Sequence, residues 1–336
     1  MKKVLVIFTG GTIGSAASNG VINTANTQAF KLLEQFQDVD PQAQDIQFTT
    51  LQPLQILSEN MAPATWQILI NSIESQPLKN YDGIVITHGT DTLAYTAAAL
   101  GYYFSAINIP MLLVSSDYSL DDARANGLEN FRCAIEFIRQ RIRAGVFVPY
   151  ANQSQTMYVH HGTRLTCSLQ LTGDFYSVQK KPFMHYENQI FTQLDVSPSV
   201  VSYIPLKAHF YTRIIMIKPY PGLNYEAIKP EQGDVVLHDL YHSGTACASN
   251  EWGEYYSLVT FIERCTQHGV KVYLAPAIKS PSAYQSTRAL LSKGAEMLWN
   301  MSIESAYVKL LLAYGNFTEP QQIKAFLEAN IAGEQV

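Results

Sequence analysis

Two short turns rich in threonine and glycine contain the residue types most able to do chemistry in this chain. The first covers residues 9–15 (TGGTIGS) and the second covers residues 88–92 (HGTDT). A threonine hydroxyl becomes a nucleophile when a base and a charged partner lie nearby, and backbone N–H groups in glycine turns can stabilise an oxyanion. The pair therefore indicates amide or ester chemistry carried out by threonine, in preference to serine, cysteine or a metal.

The segments that flank both turns predict how they are positioned. Each turn follows a short apolar run typical of a buried parallel strand, at residues 4–8 and 83–87, and each precedes a segment that can start a helix. Ligands of an open α/β sheet bind beyond the carboxyl ends of its strands. We therefore expect both turns to open into one crevice.

Other interpretations of the two turns remain open at this point. Residues 10–14 lack the lysine of a P-loop and do not fit GxGxxG, so a phosphate or dinucleotide site is not indicated, but a purely structural glycine turn is an alternative. In the second turn, Asp91 or Thr92 could simply cap the following helix. If Thr92 is the cap, Thr90 and Asp91 are left to face the crevice.

The histidines give little sign of a metal site. A lone residue such as His88 is more often a hydrogen-bonded structural histidine, and the neighbours His160 and His161 would face opposite sides of a strand. No motif for a metal or an organic cofactor is present, and we expect none to be needed.

Composition limits the class of partner. The 336 residues have a net charge of −5 with scattered basic residues, which argues against nucleic-acid binding. No apolar run reaches the length of a signal sequence or membrane span, so we expect no membrane association. The four cysteines are widely spaced, as in reduced proteins, and a cytoplasmic location is expected.

Alternating apolar and amphipathic segments predict an α/β fold with a parallel sheet covered on both faces. The segments divide into an N-terminal domain (residues 1–190), a linker (191–206) within a polar, proline-containing stretch at 182–205, and a C-terminal domain (207–336). The predicted strands are residues 4–8, 46–51, 83–87, 109–115, 145–149, 156–159, 165–171, 213–217, 234–237 and 270–275. The predicted helices are residues 27–37, 64–75, 92–104, 122–144, 257–268, 283–293, 304–313 and 320–331.

Both threonine motifs, in this order and at this spacing, resemble those of the bacterial L-asparaginases. The likeness extends through residues 58–63 (SENMAP), 81–83, 122–130 and 219–222, and the apparent lack of a signal peptide resembles the cytoplasmic type I branch. The resemblance implies an asparaginase-like α/β fold of two domains, with a larger N-terminal parallel-sheet domain and a smaller C-terminal α/β domain. It also implies a homodimer or homotetramer.

The resemblance further implies a role for each site residue. Thr12 matches the nucleophile, Thr90 the assisting threonine, and Asp91 the group that holds the substrate's α-ammonium. Ser58 and Glu59 fall where the family binds the α-carboxylate and α-amino ends. Further expected contributions to substrate binding come from Gly11, Gly89 and Ser116, and from Thr245 of a neighbouring subunit, although Thr245 is equally well explained as part of a simple turn.

Several positions depart from the family pattern. The family's TGSQ after the fourth strand is replaced by residues 115–118 (SSDY), and its following aspartate–glycine pair by residues 126–127 (NG). The family's lid tyrosine corresponds to Val21, and its active-site lysine corresponds to Cys167, unless Lys180 or Lys181 replaces that lysine. Loss of the lysine together with a carboxylate at Glu59 makes the pocket about two charge units more negative, which should weaken the binding of aspartate.

The sequence therefore predicts a small amino-acid amide as substrate, with L-asparagine as the first choice and weakened or redirected activity. Two alternatives stay open: hydrolysis of another amide, such as glutamine or an amidated macromolecule, and a catalytically silent protein that binds an amino acid.

Overall fold

The chain folds into two α/β units, each built on its own sheet. The computed structural model describes residues 1–11, 13, 15–18, 21–24, 26–153, 156–195 and 203–336, with the backbone alone for 15–18, 21–24 and 26–30. The first unit contains Met1–Ala208 and Ile331–Gly333, and the second contains His209–Asn330 and Glu334–Val336. No helix among these residues is long and apolar enough to cross a bilayer.

The first unit is built on a mixed sheet whose central part is parallel. Its strands are β1 (Lys2–Phe8), β2 (Ser15–Ser18), β3 (Val21–Thr24), β4 (Ile46–Leu51), β5 (Gly83–Thr87), β6 (Pro110–Val114), β7 (Gly145–Ala151), β8 (Met157–His161), β9 (Met184–Glu187) and β10 (Ile190–Gln193). Its helices are α1 (Asn26–Val39), α2 (Pro63–Glu74), α3 (Leu93–Tyr103) and α4 (Gly127–Arg139). Within the described residues the sheet order is β10-β9-β8-β7-β6-β5-β1-β4, and β2 pairs with β3 in a separate hairpin.

The parallel part of the sheet fixes where the threonine turns begin. β5 lies between β1 and β6, and the pairings of β1 with β4, of β1 with β5, and of β6 with β5 and β7 are all parallel. Every residue of β5 and of β6 is buried, as expected for strands covered on both faces. Because Phe8 is in register with Thr87, the turns that follow β1 and β5 start side by side at the same edge.

The second unit has a smaller sheet that is parallel throughout. Its strands are β11 (Ile214–Ile217), β12 (Val235–Asp239), β13 (Lys271–Ala277) and β14 (Glu296–Trp299), and its helices are α5 (Leu258–Gln267), α6 (Gln285–Ser292), α7 (Ile303–Asn316) and α8 (Pro320–Glu328). The strands lie in the order β11-β12-β13-β14 among the described residues. Val236 and Leu274 of the sheet and Phe261 and Leu290 of the helices belong to one buried core.

The predicted α/β class is confirmed, but several elements differ from the sequence prediction. The strand predicted at residues 165–171 is wrong: only Leu165 forms an isolated bridge, to Ser177. The helix predicted at 122–144 is too long, because α4 begins at Gly127 and Arg141 adopts a left-handed φ of 52°. The polar stretch at 182–205 contains β9 and β10, so residues 191–193 of the predicted linker belong to a strand.

Buried histidines should make the fold sensitive to mild acid. Burial lowers the pKa of His88, His160 and His238 from 6.5 to about 4 and that of His161 to about 3. Unfolded imidazoles take up protons near pH 6.5, so this stabilisation is complete above that pH and is lost as the pH falls toward 4. We expect the urea midpoint to be lower at pH 5 than at pH 7.5.

His160→Gln removes one buried histidine, so its urea midpoint should change less between pH 7.5 and pH 5. His268→Gln, at an exposed histidine, is the control. An equal or higher midpoint at pH 5 for the unsubstituted protein would contradict this account.

A buried ion pair anchors the end of the chain within the second unit. Lys309 Nζ donates to Glu334 Oε1 and to the carbonyl of Ala329, both at 2.5 Å, and neither charged side chain is exposed. Burial lowers the pKa of Lys309, while Glu334 opposes that shift. We expect Glu334→Leu alone to lower the free energy of unfolding by about 3–5 kcal/mol, because the lysine loses its buried partner.

The double variant Lys309→Met/Glu334→Leu should recover most of that loss in the same urea titration. A single substitution that leaves the free energy of unfolding unchanged would show that the pair is not energetically coupled.

Candidate functional site

The turn after β1 requires glycine at two positions. Gly10 and Gly11 have φ angles of 104° and 79°, a region that disfavours residues with a side chain. Ile56 N–H donates to Thr9 O at 2.9 Å and Gly11 N–H donates to Ile56 O at 3.2 Å, so this turn is bonded to the segment that leads to Ser58. The Gly11 N–H is therefore already used inside the fold. Thr12 lies outside the described residues.

The two threonine turns touch through their backbones. A Cβ atom built on Gly11 would lie 2.3 Å from the backbone nitrogen of Gly89 and 2.5 Å from its Cα. A second link joins the strand ends, where Thr9 Oγ1 donates to Thr87 O at 2.7 Å. The structure therefore brings Gly11 and Gly89 together, as the sequence predicts.

Ser58 connects the second turn to the segment that follows β4. Its buried hydroxyl donates to Asp91 Oδ2 at 2.8 Å and accepts from the Asp91 N–H at 3.3 Å. Thr92 Oγ1 donates to the carbonyl of Ser58 at 2.8 Å and makes no side-chain cap to α3. Ser58 thus holds Asp91 in a fixed orientation although Asp91 itself is exposed, an arrangement suited to binding an ammonium group.

Three further predicted residues lie on the same edge of the sheet. Thr90 is half-buried, and its carbonyl accepts from Leu93 N–H at 3.4 Å. Glu59 is exposed in a single 3-10 turn beside Ser58. Ser116 is buried, and its hydroxyl donates to Tyr118 O at 2.6 Å and accepts from the Gly127 N–H at 3.1 Å. The hydroxyl is therefore already hydrogen-bonded within the loop that follows β6. Direct substrate binding by Ser116 remains a prediction.

His88 is the centre of a buried hydrogen-bond chain. Trp66 Nε1 donates to Thr96 Oγ1 at 2.9 Å, Thr96 Oγ1 lies 2.8 Å from His88 Nε2, and His88 Nδ1 lies 2.7 Å from Gly89 O. A carbonyl only accepts, so Nδ1 carries the hydrogen and Nε2 accepts from Thr96. With its pKa lowered to about 4 by burial, His88 is neutral and positions Gly89. The sequence indicated a structural role for His88, but no local signal linked it to Trp66 or Thr96, which lie 22 and 8 positions away.

Cys167 lies in an irregular hairpin, residues 165–177. Thr166 N–H donates to Tyr176 O at 3.0 Å, and the Asn152 side chain both donates to Phe175 O and accepts from Phe175 N–H, each at 2.8 Å. The Cys167 side chain is half-buried. Lys180 is exposed after the hairpin, with its ammonium 5.7 Å from the centre of the Tyr176 ring.

Asp117 lies under this hairpin. Its N–H donates to Asn126 Oδ1 at 3.1 Å, its Oδ1 is buried without a hydrogen-bond partner among the described residues, and burial raises its pKa. A Cβ atom on Gly173 would lie 2.8 Å from Asp117 Cβ and 3.5 Å from the Tyr150 hydroxyl. Sequence reasoning noted Asp117 only as a departure from the family motif.

Two further predicted residues, Val21 and Thr245, lie in other elements. Of Val21 only the backbone is described, in β3. Thr245 lies in the second unit, in a turn after β12 where its hydroxyl is 2.8 Å from that of Ser243 and its carbonyl accepts from Tyr241 N–H. A contribution of Thr245 to a neighbouring subunit remains a prediction. Within the described part of the chain, no group of three or more potential ligands is arranged to hold a metal ion.

Comparisons with known proteins show the family to which the chain is related. The family model described as Asparaginase, N-terminal, matches residues 3–195. The chain is 27% identical to a glutamyl-tRNA(Gln) amidotransferase subunit of Methanococcus maripaludis strain C7, over 99% of this chain and 81% of the relative. It is 26% identical to the protein of the same name from Methanosphaera stadtmanae, over 99% of this chain and 76% of the relative.

Solved structures give the same architecture. The thermostable L-asparaginase from Thermococcus kodakarensis has a TM-score of 0.79 and 24% identity, over 99% of both chains. L-asparaginase I from Vibrio cholerae O1 has a TM-score of 0.76 and 24% identity, over 100% of this chain and 99% of the other. These likenesses establish the fold, and the match over residues 3–195 establishes more: the chain belongs to the asparaginase family.

Proposed function

We propose that this protein hydrolyses the side-chain amide of a small amino acid, with L-asparagine as the first substrate to test. The observation that carries the proposal is the Ser58–Asp91 hydrogen bond of 2.8 Å beside the touching backbones of Gly11 and Gly89. It supports a site where a fixed carboxylate binds an ammonium group next to the threonine turns. The family membership supports the amide as the group that reacts.

Thr12 is the proposed nucleophile. Its hydroxyl oxygen attacks the amide carbon, the C–N bond breaks, and ammonia leaves with the proton from the hydroxyl. Water then cleaves the resulting ester and yields the carboxylate product and free Thr12. Thr90 assists this proton transfer, and N–H groups of the turn at residues 88–92 stabilise the oxyanion.

The rate is proposed to be low, since Val21 and Cys167 replace groups that could move a proton or supply a positive charge. Cytoplasmic location, the type I branch and a homodimer or homotetramer belong to this proposal as well.

A second candidate is hydrolysis of the amide of a different substrate. It is favoured by the similarity to two proteins named as glutamyl-tRNA(Gln) amidotransferase subunits, which extends over 99% of this chain. Glutamine is the first such substrate to compare. A silent amino-acid-binding protein remains the third possibility, and it predicts ligand-dependent thermal stabilisation without ammonia release.

Replacing Thr12 should abolish ammonia release. We expect the purified protein to release ammonia from L-asparagine more slowly than a typical enzyme, which turns over about 10 times per second. Thr12→Ala should lower that rate at least ~1,000-fold, because the nucleophile is lost. Thr318→Ala, an exposed threonine of the second unit, is the matched control. Equal rates for Thr12→Ala and the unsubstituted protein would refute the assignment of Thr12.

Removing the Ser58 hydroxyl should weaken substrate binding. A hydrogen bond to a charged group contributes about 1.5–3 kcal/mol, so Ser58→Ala should raise KM at least about tenfold. The measurement is a steady-state ammonia assay, with Ser72→Ala in α2 as the control. A KM that does not change would mean that Ser58 does not orient Asp91 for binding.

A further inference from the structure

A cavity of about 380 Å³ lies in the first unit, at the amino edge of its parallel strands. Residues 106–109 form one wall and lead directly into β6, whereas the threonine turns follow the carboxyl ends of β1 and β5. The cavity, which we call the amino-edge cavity, is therefore separate from the candidate site. Ligand pockets in proteins have volumes of roughly 300–1,000 Å³, so this one suits a single small molecule.

Two helices form a fixed wall of the amino-edge cavity. α2 ends at Glu74 and α3 ends at Tyr103, and the Tyr103 hydroxyl donates to Glu74 Oε1 at 2.9 Å. Nearer their amino ends, the same helices are joined by the hydrogen bond from Trp66 Nε1 to Thr96 Oγ1 at 2.9 Å. Because the helices are joined at two levels, the cavity at their carboxyl-terminal ends is formed before any ligand binds.

Most of the amino-edge cavity is lined by apolar and aromatic side chains. Phe104 is 8% exposed, and its ring packs edge to face against that of Tyr103, with the ring centroids 5.0 Å apart. Tyr203 also lines the cavity and is 61% exposed, so its ring is accessible to a ligand. Aromatic rings prefer offset or edge-to-face contacts with one another, so this lining favours an aromatic group. The other apolar residues of the lining are Leu78, Ala106, Ile107, Ile109 and Leu206.

Two opposite charges complete the lining. Among its described residues only Glu74 and Lys79 are charged, and neither takes part in an ion pair within the described chain. The Glu74 carboxylate accepts from Tyr103 and has sites for further hydrogen bonds, and the Lys79 ammonium has three donors. Lys207, which follows Leu206 in the chain, is not part of the lining. The cavity thus offers one anionic and one cationic group to a single ligand.

We infer that the amino-edge cavity binds a free aromatic α-amino acid. The side chain of this ligand packs against Phe104 and Tyr203, its α-ammonium pairs with Glu74, and its α-carboxylate pairs with Lys79. The terminal residue of a peptide carries only one of these two charges, so a free amino acid matches the lining better than a chain end. The inference does not depend on amide hydrolysis, since the cavity and the threonine turns lie at opposite edges of the parallel strands.

Calorimetry of the full chain with four compounds tests this inference. L-Phenylalanine has the ring and both charges, L-phenylalaninamide lacks the carboxylate, N-acetyl-L-phenylalanine lacks the ammonium group, and L-alanine lacks the ring. We expect L-phenylalanine to bind and each of the other compounds to bind at least about tenfold more weakly, because each loses a charge pair or the aromatic contact.

Several outcomes of this titration overturn the inference. Phenylalaninamide that binds as tightly as phenylalanine indicates the amino terminus of a peptide as the ligand, and N-acetylphenylalanine that does so indicates a carboxyl terminus. Equal binding of L-alanine shows that the aromatic lining is not used. The absence of L-phenylalanine binding at about 10 mM overturns the inference as well.

Variants of the two charged residues locate the bound amino acid. Glu74→Gln keeps an acceptor for the Tyr103 hydroxyl but removes the charge, and Lys79→Met removes the ammonium group, so each should weaken L-phenylalanine binding at least about fivefold. Glu187→Gln, at an exposed acid of β9 outside the lining, is the matched control and should leave the affinity unchanged. An affinity that neither cavity variant changes overturns the inference.

Ser58→Ala separates this cavity from the candidate site, which also binds an amino acid under the proposed function. It should leave the affinity for L-phenylalanine unchanged. Weaker binding in Ser58→Ala, with Glu74→Gln unaffected, would place the ligand at the threonine turns and overturn the inference. Because these are binding measurements, a protein that releases no ammonia from any amide refutes the proposed function alone.

Discussion

The site depends on one steric constraint, the contact between the backbones of Gly11 and Gly89. No side chain fits between them, since a Cβ atom on Gly11 would lie 2.3 Å from the Gly89 nitrogen. The parallel register of β1 and β5 starts both turns at one level, and the glycines let them touch. An alanine at either position would separate the turns or displace the Ser58 hydroxyl, which would lie 2.5 Å from a Cβ atom on Gly89.

Buried, uncharged polar groups hold this contact in place, whereas the charged side chain beside it is exposed to solvent. Neutral His88 binds the Gly89 carbonyl, and Ser58 binds the exposed Asp91. The rigid part of the site is therefore uncharged, while its accessible part is acidic.

The sequence predicted the central strands and the paired turns because their signals are local. β5 (GIVIT) is apolar throughout and is followed at once by HGTDT. β2 (SAAS) and β3 (VINT) could not be predicted, since four mixed residues give no clear period, and β9 and β10 were hidden in a polar segment. The Ser58–Asp91 hydrogen bond joins residues 33 positions apart, so it could be identified only from the folded structure. Because Thr12 lies outside the described residues, its role rests on family resemblance.

Mass spectrometry of the protein quenched in acid during turnover of an amide substrate tests the central claim most directly. The claim is that the touching turns form one site in which Thr12 attacks the amide. The account predicts an acyl group on the peptide that contains Thr12, formed in the unsubstituted protein and absent from Thr12→Ala. An acyl group on Thr90 or Cys167 instead, in a protein that releases ammonia, would contradict it.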